Sequence, residues 1–428
     1  MSISFPISRI TAAAWMVAIA SASWAADPLT LIEAQRIAVD RSQQLVAQEA
    51  LTAAAKEQAV AAGQLPDPVL KLGIDNLPAD GADRGSLTRD FMTMRRIGVM
   101  QEITRSEKRQ LRSERFERDA QRAQAQRQLT LANLRRDTAL AWLDRYYTQA
   151  MRELVQQQLE ETRLQIQAAD IAFRAGRGSQ SDVFAARSAV IQLEDRVSQI
   201  SRQSRNASLM LARWVGTTDA DRPLSGSPPW QTTSLQIGVS SEHIKQHPDL
   251  LAISAEIDTV ETDARLAQAN KQADWSVEAS YAQRGPTYSN MISIGVSIPL
   301  QWDQKNRQNR ELAAKLALVD EARARYEDML RNHEAEVRGW LNDWQTGKDR
   351  VARYRNELIP TARQRAEAAL TSYRTGKSDL AGALAARRDE LDTHMQTLTL
   401  EMETARSWAQ LNFLFPEHSM PAQAKEQP

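Results

Sequence analysis

The feature that most constrains this chain is that it repeats its plan once. Phe173-Arg-Ala-Gly-Arg-Gly-Ser-Gln-Ser-Asp-Val-Phe-Ala-Ala-Arg187 reads against Tyr373-Arg-Thr-Gly-Lys-Ser-Asp-Leu-Ala-Gly-Ala-Leu-Ala-Ala-Arg387 at an offset of 200 residues. Without gaps, Arg174/Arg374, Gly176/Gly376, Ala185/Ala385, Ala186/Ala386 and Arg187/Arg387 coincide, and Phe173/Tyr373 and Arg177/Lys377 are close. Ile97-Gly98-Val99 matches Ile294-Gly295-Val296 at offset 197, and Pro66-Asp67-Pro68 matches Ala273-Asp274-Trp275 at offset 207. A chain of 428 residues would, on length alone, hold two or three domains. Self-similarity in a fixed order points instead to two copies of one unit. We expect these over 26–215 and 241–415, joined by a linker at 216–240 that carries Pro223, Pro228 and Pro229, with a tail at 416–428.

Each unit opens with a helix. Thr30 and Glu33 form a capping box before 31–63, and 241–270 is its counterpart. Two strands follow, near 69–75 and 94–103 in the first unit and near 275–282 and 291–300 in the second. All four alternate. Leu70, Leu72 and Ile74 share one face, as do Ile97, Val99 and Ile103, and as do Ile292, Ile294, Val296, Ile298 and Leu300; polar residues and glycines take most of the other. Trp275, Val277, Ala279 and Tyr281 alternate with Ser276, Glu278 and Ser280. This period of two belongs to sheets wet on one face. Long helices are expected next, over 105–173 and 305–373. At 1.5 Å per residue such rods span about 100 Å. Gly176 and Gly376 stop them, Asp182 and Asp379 are candidate N-caps of return helices, and the returns run over 183–214 and 380–414. Pro360 should kink or break the second rod.

Composition removes several function classes. The chain has 54 basic and 54 acidic residues and no Cys. Zero net charge argues against nucleic-acid binding. Absence of Cys excludes disulfides, thiolate metal sites and thiol catalysis. Hydrophobic residues make up 42% and mean hydropathy is −0.51, which excludes a bundle of membrane-spanning helices. The basic set is 44 Arg to 10 Lys, which suits ion-pair networks. Residues 1–25 read as a secretory signal peptide, with Arg9, an apolar stretch over 10–20 and small residues at Ser23 and Ala25. With no Cys at the cleavage point, a lipid on the mature N-terminus is not expected. No catalytic set and no cofactor motif stands out.

Four strands cannot close a barrel, and an open sheet edge cannot face lipid. Three copies would supply twelve strands, enough for a transmembrane barrel, and twelve helical rods beneath it. The connections 76–93 and 283–290 would then be extracellular, with Trp275 and Tyr281 at strand ends where an aromatic girdle sits. Taken singly, each strand fits a soluble antiparallel sheet packed on helices better, because the barrel signal of one strand is weak.

This order of signal peptide, helix, hairpin, long helix pair, linker and repeat resembles the TolC-like outer-membrane factor family over about 28–415. The twice-used aromatic-x-x-Gly-basic tip with Ala-Ala-Arg carries the likeness. The resemblance implies a homotrimeric channel of mixed, mainly α class. A twelve-stranded outer-membrane β-barrel, four strands per chain, would continue into a twelve-helix periplasmic α-barrel. It also implies contact with outer-membrane lipid, a periplasmic adaptor and an inner-membrane pump. Leu65-Pro-Asp-Pro-Val-Leu-Lys-Leu-Gly73, Asn76-Leu77-Pro78 and Met92-Thr-Met-Arg-Arg-Ile-Gly-Val-Met-Gln-Glu-Ile103 resemble the heavy-metal efflux branch, which works with resistance–nodulation–division pumps. Thr104-Arg-Ser-Glu-Lys108-Arg109 stands where branch members carry Pro-x-x-Gly-Lys-Arg. The same kind of channel serving drug efflux or type I secretion is the alternative, and a soluble periplasmic coiled-coil scaffold is a more distant one.

By that resemblance, Asp182, Tyr373 and Lys377 form the gate, with Asp182 bonding the Tyr373 hydroxyl; Asp182 serving only as a cap is the other reading. Gly176, Arg177, Gly376, Lys377, Arg187 and Arg387 form the adaptor-docking tips. The family's paired acid ring falls on Gly382 and Ala385, which are not acidic. Other candidates are set aside. His243 and His247 have the i, i+4 spacing of metal ligands, but Pro248 disturbs that turn and no third ligand is expected near. His333, His394 and His418 read as isolated and solvated. Met92, Met94 and Met100 read as barrel packing. Arg105, Lys108, Arg109, Arg112 and Arg115 are expected to pair with Glu107, Glu114 and Glu117, or to touch acidic lipid.

Overall fold

A computed structural model describes residues 27–176, 178–233 and 241–414. The expected signal peptide, Arg177, the end of the linker and the expected tail lie outside the described residues. The first half runs α1 (Leu31–Asp40), α2 (Gln43–Ala62), β1 (Val69–Asp75), β2 (Met94–Ile103), α3 (Ser106–Arg174), α4 (Gln180–Val215) and a short α5 (Thr217–Ala220). The second runs α6 (Ser241–Lys245), α7 (Pro248–Ala269), β3 (Trp275–Gln283), β4 (Met291–Ser297), α8 (Gln308–Arg353), a π-helical turn Tyr354–Leu358, α9 (Ile359–Arg374) and α10 (Leu380–Asn412). No described helix is long and apolar enough to cross a membrane.

Three expectations need correction. The opening helices are each broken. Ser42 caps α2 by accepting from the Leu45 amide at 3.3 Å, so its hydroxyl starts a second helix where apolar periodicity alone predicts continuity. In the second half Pro248 sits in the first turn of α7 with His247 as its N-cap. The second rod does not break at Pro360. Proline has no N–H and its ring crowds the carbonyl four residues back. The helix widens by one residue there, with the Ile359 amide donating to the Tyr354 carbonyl, and then resumes as α9. Finally, β4 ends at Ser297 rather than near 300, because Pro299 cannot donate to a ladder.

The strands form one antiparallel sheet in the order β1-β2-β3-β4, leaving β1 and β4 as open edges. Register aligns Leu72, Ile97, Tyr281 and Ile292 in one row and Leu70, Val99, Ala279 and Ile294 in the next. Both rows lie on the same face, and that face is bare: Leu72 is 71% exposed, Ile292 78% and Ile294 77%. The opposite face is charged and paired, with Lys71 at 2.6 Å from Glu278 and Arg96 at 3.1 Å from Asp75. Gly98 is required on that face, since a Cβ there would press on Ser280 Cβ at 2.8 Å.

The main core lies around the middle of the long helices, where Leu29, Trp142, Tyr147, Leu211, Trp344, Val351 and Trp408 pack together. The chain segment entering α1 pairs with the one leaving α5, through a parallel bridge of Leu29 to Leu224. Helix α8 approaches α10 so closely at Gly347 that a Cβ would run into the Thr404 side chain. Gly347→Val should therefore destabilise the protein by about 1–3 kcal/mol through overpacking. Denaturant unfolding followed by circular dichroism measures this; an unchanged midpoint would contradict the close packing.

Candidate functional site at the helix tips

Both tip turns are helix stops built by glycine. Gly176 has φ +69° and Gly376 φ +70°, a region that side-chain-bearing residues avoid. At the second tip the Gly376 amide donates to the Tyr373 carbonyl (2.9 Å) and the Lys377 amide to the Ser372 carbonyl (2.9 Å). This pair of bonds is the Schellman arrangement. Gly176, Gly376 and Lys377 are exposed on the turns.

Asp182 is not an N-cap. Ser179 caps α4, and Asp182 is the third helical residue of a reciprocal capping box. The Ser179 hydroxyl and amide donate to Asp182 Oδ2 at 2.8 and 3.1 Å, and the Asp182 amide donates to Ser179 Oγ at 3.1 Å. The Ser-x-x-Asp spacing is visible in the sequence and is the signal that finds this cap. The other carboxylate oxygen, Oδ1, accepts the buried Leu380 amide at 3.2 Å. One side chain thus satisfies orphan donors at the starts of two helices, α4 and α10, from opposite halves of the chain. Asp379 caps α10 as expected, accepting the Gly382 amide at 2.9 Å.

Tyr373 is half-buried against Ala169, Val183, Ala186 and Leu380. The carboxylate of Asp182 is committed to Ser179 and Leu380, and no hydrogen bond to the Tyr373 hydroxyl is formed among the described residues. Asp182 still acts on the ring electrostatically. Burial, and then the Asp182 charge, push the Tyr373 hydroxyl above its usual value. For Asp182, burial works to raise the pKa, but the bonds from Ser179 and Leu380 outweigh it and hold the carboxyl below the ordinary 3.8.

The two matched arginines differ. Arg187 is exposed on α4, whereas Arg387 is held against Glu390 at 2.7 Å. Between α3, α4 and α10 lies a cavity of about 310 Å³ lined in part by Thr162, Ser188, Arg387 and Leu391. Arg196 closes one side by pairing with Asp392 at 2.5 Å.

Elsewhere, two expectations change. The basic cluster at the start of α3 is paired, but largely with the second half. Lys108 Nζ is 2.9 Å from Asp274, and Arg115 Nε is 2.7 Å from Asp263. Burial works to raise the Asp274 carboxyl, yet bonds from the Arg105 amide and Lys108 hold it below its usual range. His333 is not isolated or solvated. It is buried, with its ring centroid 4.4 Å from that of His247. His243 is exposed on α6, a separate short helix, so the i, i+4 pair never shares a face.

The fold matches the outer-membrane channel OprN at TM-score 0.75 and 19% identity, covering 90% of this chain and 89% of that one. It matches CusC at TM-score 0.77 and 14% identity, over 90% and 92%. The outer membrane protein VceC of Vibrio cholerae follows at 0.72 and 17%, over 90% and 95%. No curated protein matches by sequence. Residues 239–415 match the family model described as outer membrane efflux protein.

The Asp182 bonds carry a pH signature. Because its folded pKa is depressed, their stabilisation is complete above about pH 4 and is lost as pH falls below it. Asp182→Ala should lower the protection factor of the Leu380 amide at pH 7 by about tenfold or more, the equivalent of a charge-assisted bond. Hydrogen exchange measures it. Equal protection in both proteins would show that the bond contributes nothing.

Proposed function

We propose that three copies of this chain form the outer-membrane exit duct of a tripartite efflux system. The observation that carries this reading is the sheet. Its apolar face is bare along Leu72, Ile292 and Ile294 while its other face is charged and paired, and both edges are unpaired. A bare apolar face is costly in water, and an open edge is costly in lipid. Joining β4 of each copy to β1 of the next, three times around the ring, closes twelve strands into a barrel with the apolar face outward and the charged face lining a wet lumen. The two halves, 26–215 and 241–415 about the 216–240 linker, are then duplicated units that contribute alternately to a twelve-helix tube in the periplasm.

Substrate leaves passively, delivered by an inner-membrane pump of the resistance–nodulation–division class through a periplasmic adaptor. The exposed turns at Gly176, Gly376 and Lys377, with Arg177, Arg187 and Arg387 nearby, are the docking surface. Asp182 holds the resting tip shut by tying the starts of α4 and α10, and the Tyr373 ring packs over that joint against Val183 and Leu380. Adaptor binding that favours the splayed tips shifts the population to the open state. The motifs at 65–78 and 92–103 favour heavy-metal cations as cargo; drugs or secreted proteins are the alternative cargo for the same duct.

Three measurements test this. Ile294→Arg should cut outer-membrane insertion sharply, since a basic residue on the lipid face costs about 2–4 kcal/mol at mid-depth; normal insertion would refute the orientation of the sheet. Asp182→Ala and Tyr373→Ala should raise single-channel conductance in planar bilayers, the first by cutting the tie between α4 and α10 and the second by removing the ring packed on it. Unchanged conductance in both removes the latch. Deleting the gene should lower tolerance of copper, silver, zinc, cobalt or cadmium; loss of dye and antibiotic tolerance alone would assign the duct to drugs.

A further inference from the structure

We propose that His247, Asp249 and His333 form a binding site for a divalent transition-metal ion of the Zn²⁺ type, one per chain, away from both the sheet and the tips. The three side chains offer ligand atoms that all lie within 4.8 Å of one another. They come from two elements. His247 and Asp249 stand at the start of α7, and His333 projects from the middle of α8. Both imidazoles are buried, at 9% and 8% exposure.

The ring of His333 has a carboxylate beside each of its nitrogens. Its Nε2 lies 3.4 Å from Asp249 Oδ2 and its Nδ1 3.4 Å from Glu336 Oε2. In metal sites, a carboxylate that accepts from the non-ligating nitrogen fixes the tautomer and raises ligand basicity. That Nδ1 is buried and makes no hydrogen bond as it stands. A buried polar nitrogen without a partner is costly, and loading Nε2 would strengthen the Nδ1–H toward Glu336. The His247 Nδ1 accepts the Asp249 amide at 3.2 Å, so its lone pair points into the turn that carries the carboxylate. Binding there exchanges one backbone cap bond for a metal bond.

Two neutral imidazoles and one carboxylate suit zinc, cobalt, nickel or copper(II). They do not suit calcium or magnesium, which prefer all-oxygen shells, nor silver or copper(I), which prefer sulfur. Three protein ligands leave a position for water, as in open zinc sites. Access comes through Asp249, which lines a cleft of about 630 Å³ between α2, α3, α7 and α8. The positive charge of Arg136 on α3 acts on both His247 and Asp249 and opposes a cation, which the charges of Asp249 and Glu336 offset.

The site does not rest on the channel reading, because it is tested on the purified full chain in detergent whatever that chain conducts. After chelator treatment, the protein is titrated with Zn²⁺ calorimetrically and with Co²⁺ by visible absorption. We expect saturation at one ion per chain and a Co²⁺ band typical of nitrogen and oxygen ligands. Asp249→Asn and His333→Gln should each weaken Zn²⁺ binding at least about tenfold. Glu336→Gln, which orients rather than ligates, should weaken it by about tenfold and leave the Co²⁺ band intact. His243→Gln should change nothing. If His333→Gln does not fold, Asp249→Asn decides, because Asp249 is half-exposed. No saturable uptake by the wild type, or equal affinity in the Asp249 and His333 variants, overturns the proposal.

Discussion

The structure depends on a girdle of tryptophan indoles around the middle of the long helices. Rods of this length have no globular core of their own, and their sequences are polar over most turns. Burial is concentrated where the segment before α1 and the linker after α5 cross them. Such crossing strands carry carbonyls that no ladder satisfies. Three indole N–H groups supply the partners: Trp142 to the Leu29 carbonyl at 3.1 Å, Trp344 to that of Trp230 at 2.7 Å, and Trp408 to that of Thr232 at 2.8 Å. Each ring buries a large apolar area and ends in one donor, which is what a half-wet crossing point requires.

Around the same girdle, arginine adds a second set of ties. Arg406 grips Asp144 with two bonds of 2.8 and 2.7 Å between α10 and α3. Arg355, in the π-helical turn, reaches buried Glu401 at 2.6 Å. Arg222 holds Glu33 through two nitrogens. A planar fork that meets a carboxylate at two points fixes orientation as well as distance. The high Arg share of the basic residues, which genome composition could also produce, therefore has a structural use here.

Much of this was legible from sequence because its signals are local. Gly176 and Gly376 had to end helices, and both rods end within two residues of the expected positions. Alternation placed β1 and β2 to the residue and showed which faces are apolar. What escaped was set by partners distant in the chain. Helix α1 stops at Asp40 because the Ser42 hydroxyl wins a local contest that periodicity does not record. Lys108 meets Asp274, 166 residues on, rather than its neighbouring acids. His333 looks isolated until α8 packs on α7. At the tip, Ser179 was readable and Asp182 was placed on the right turn, but its bond to the Leu380 amide spans 198 residues and only folding creates it.

The π-helical turn before Pro360 has a geometric effect on everything beyond it. An α-helix advances about 100° per residue. One additional residue in a single turn rotates the remainder of the rod by that angle without changing its direction appreciably. Arg355 in this turn faces α10 through Glu401, and eighteen residues later Tyr373 faces Val183 and Leu380. The insertion works as a vernier. It lets one rod address the girdle with one stripe and the tip with another, so that a proline poor for helix interiors sets the azimuth of the second tip.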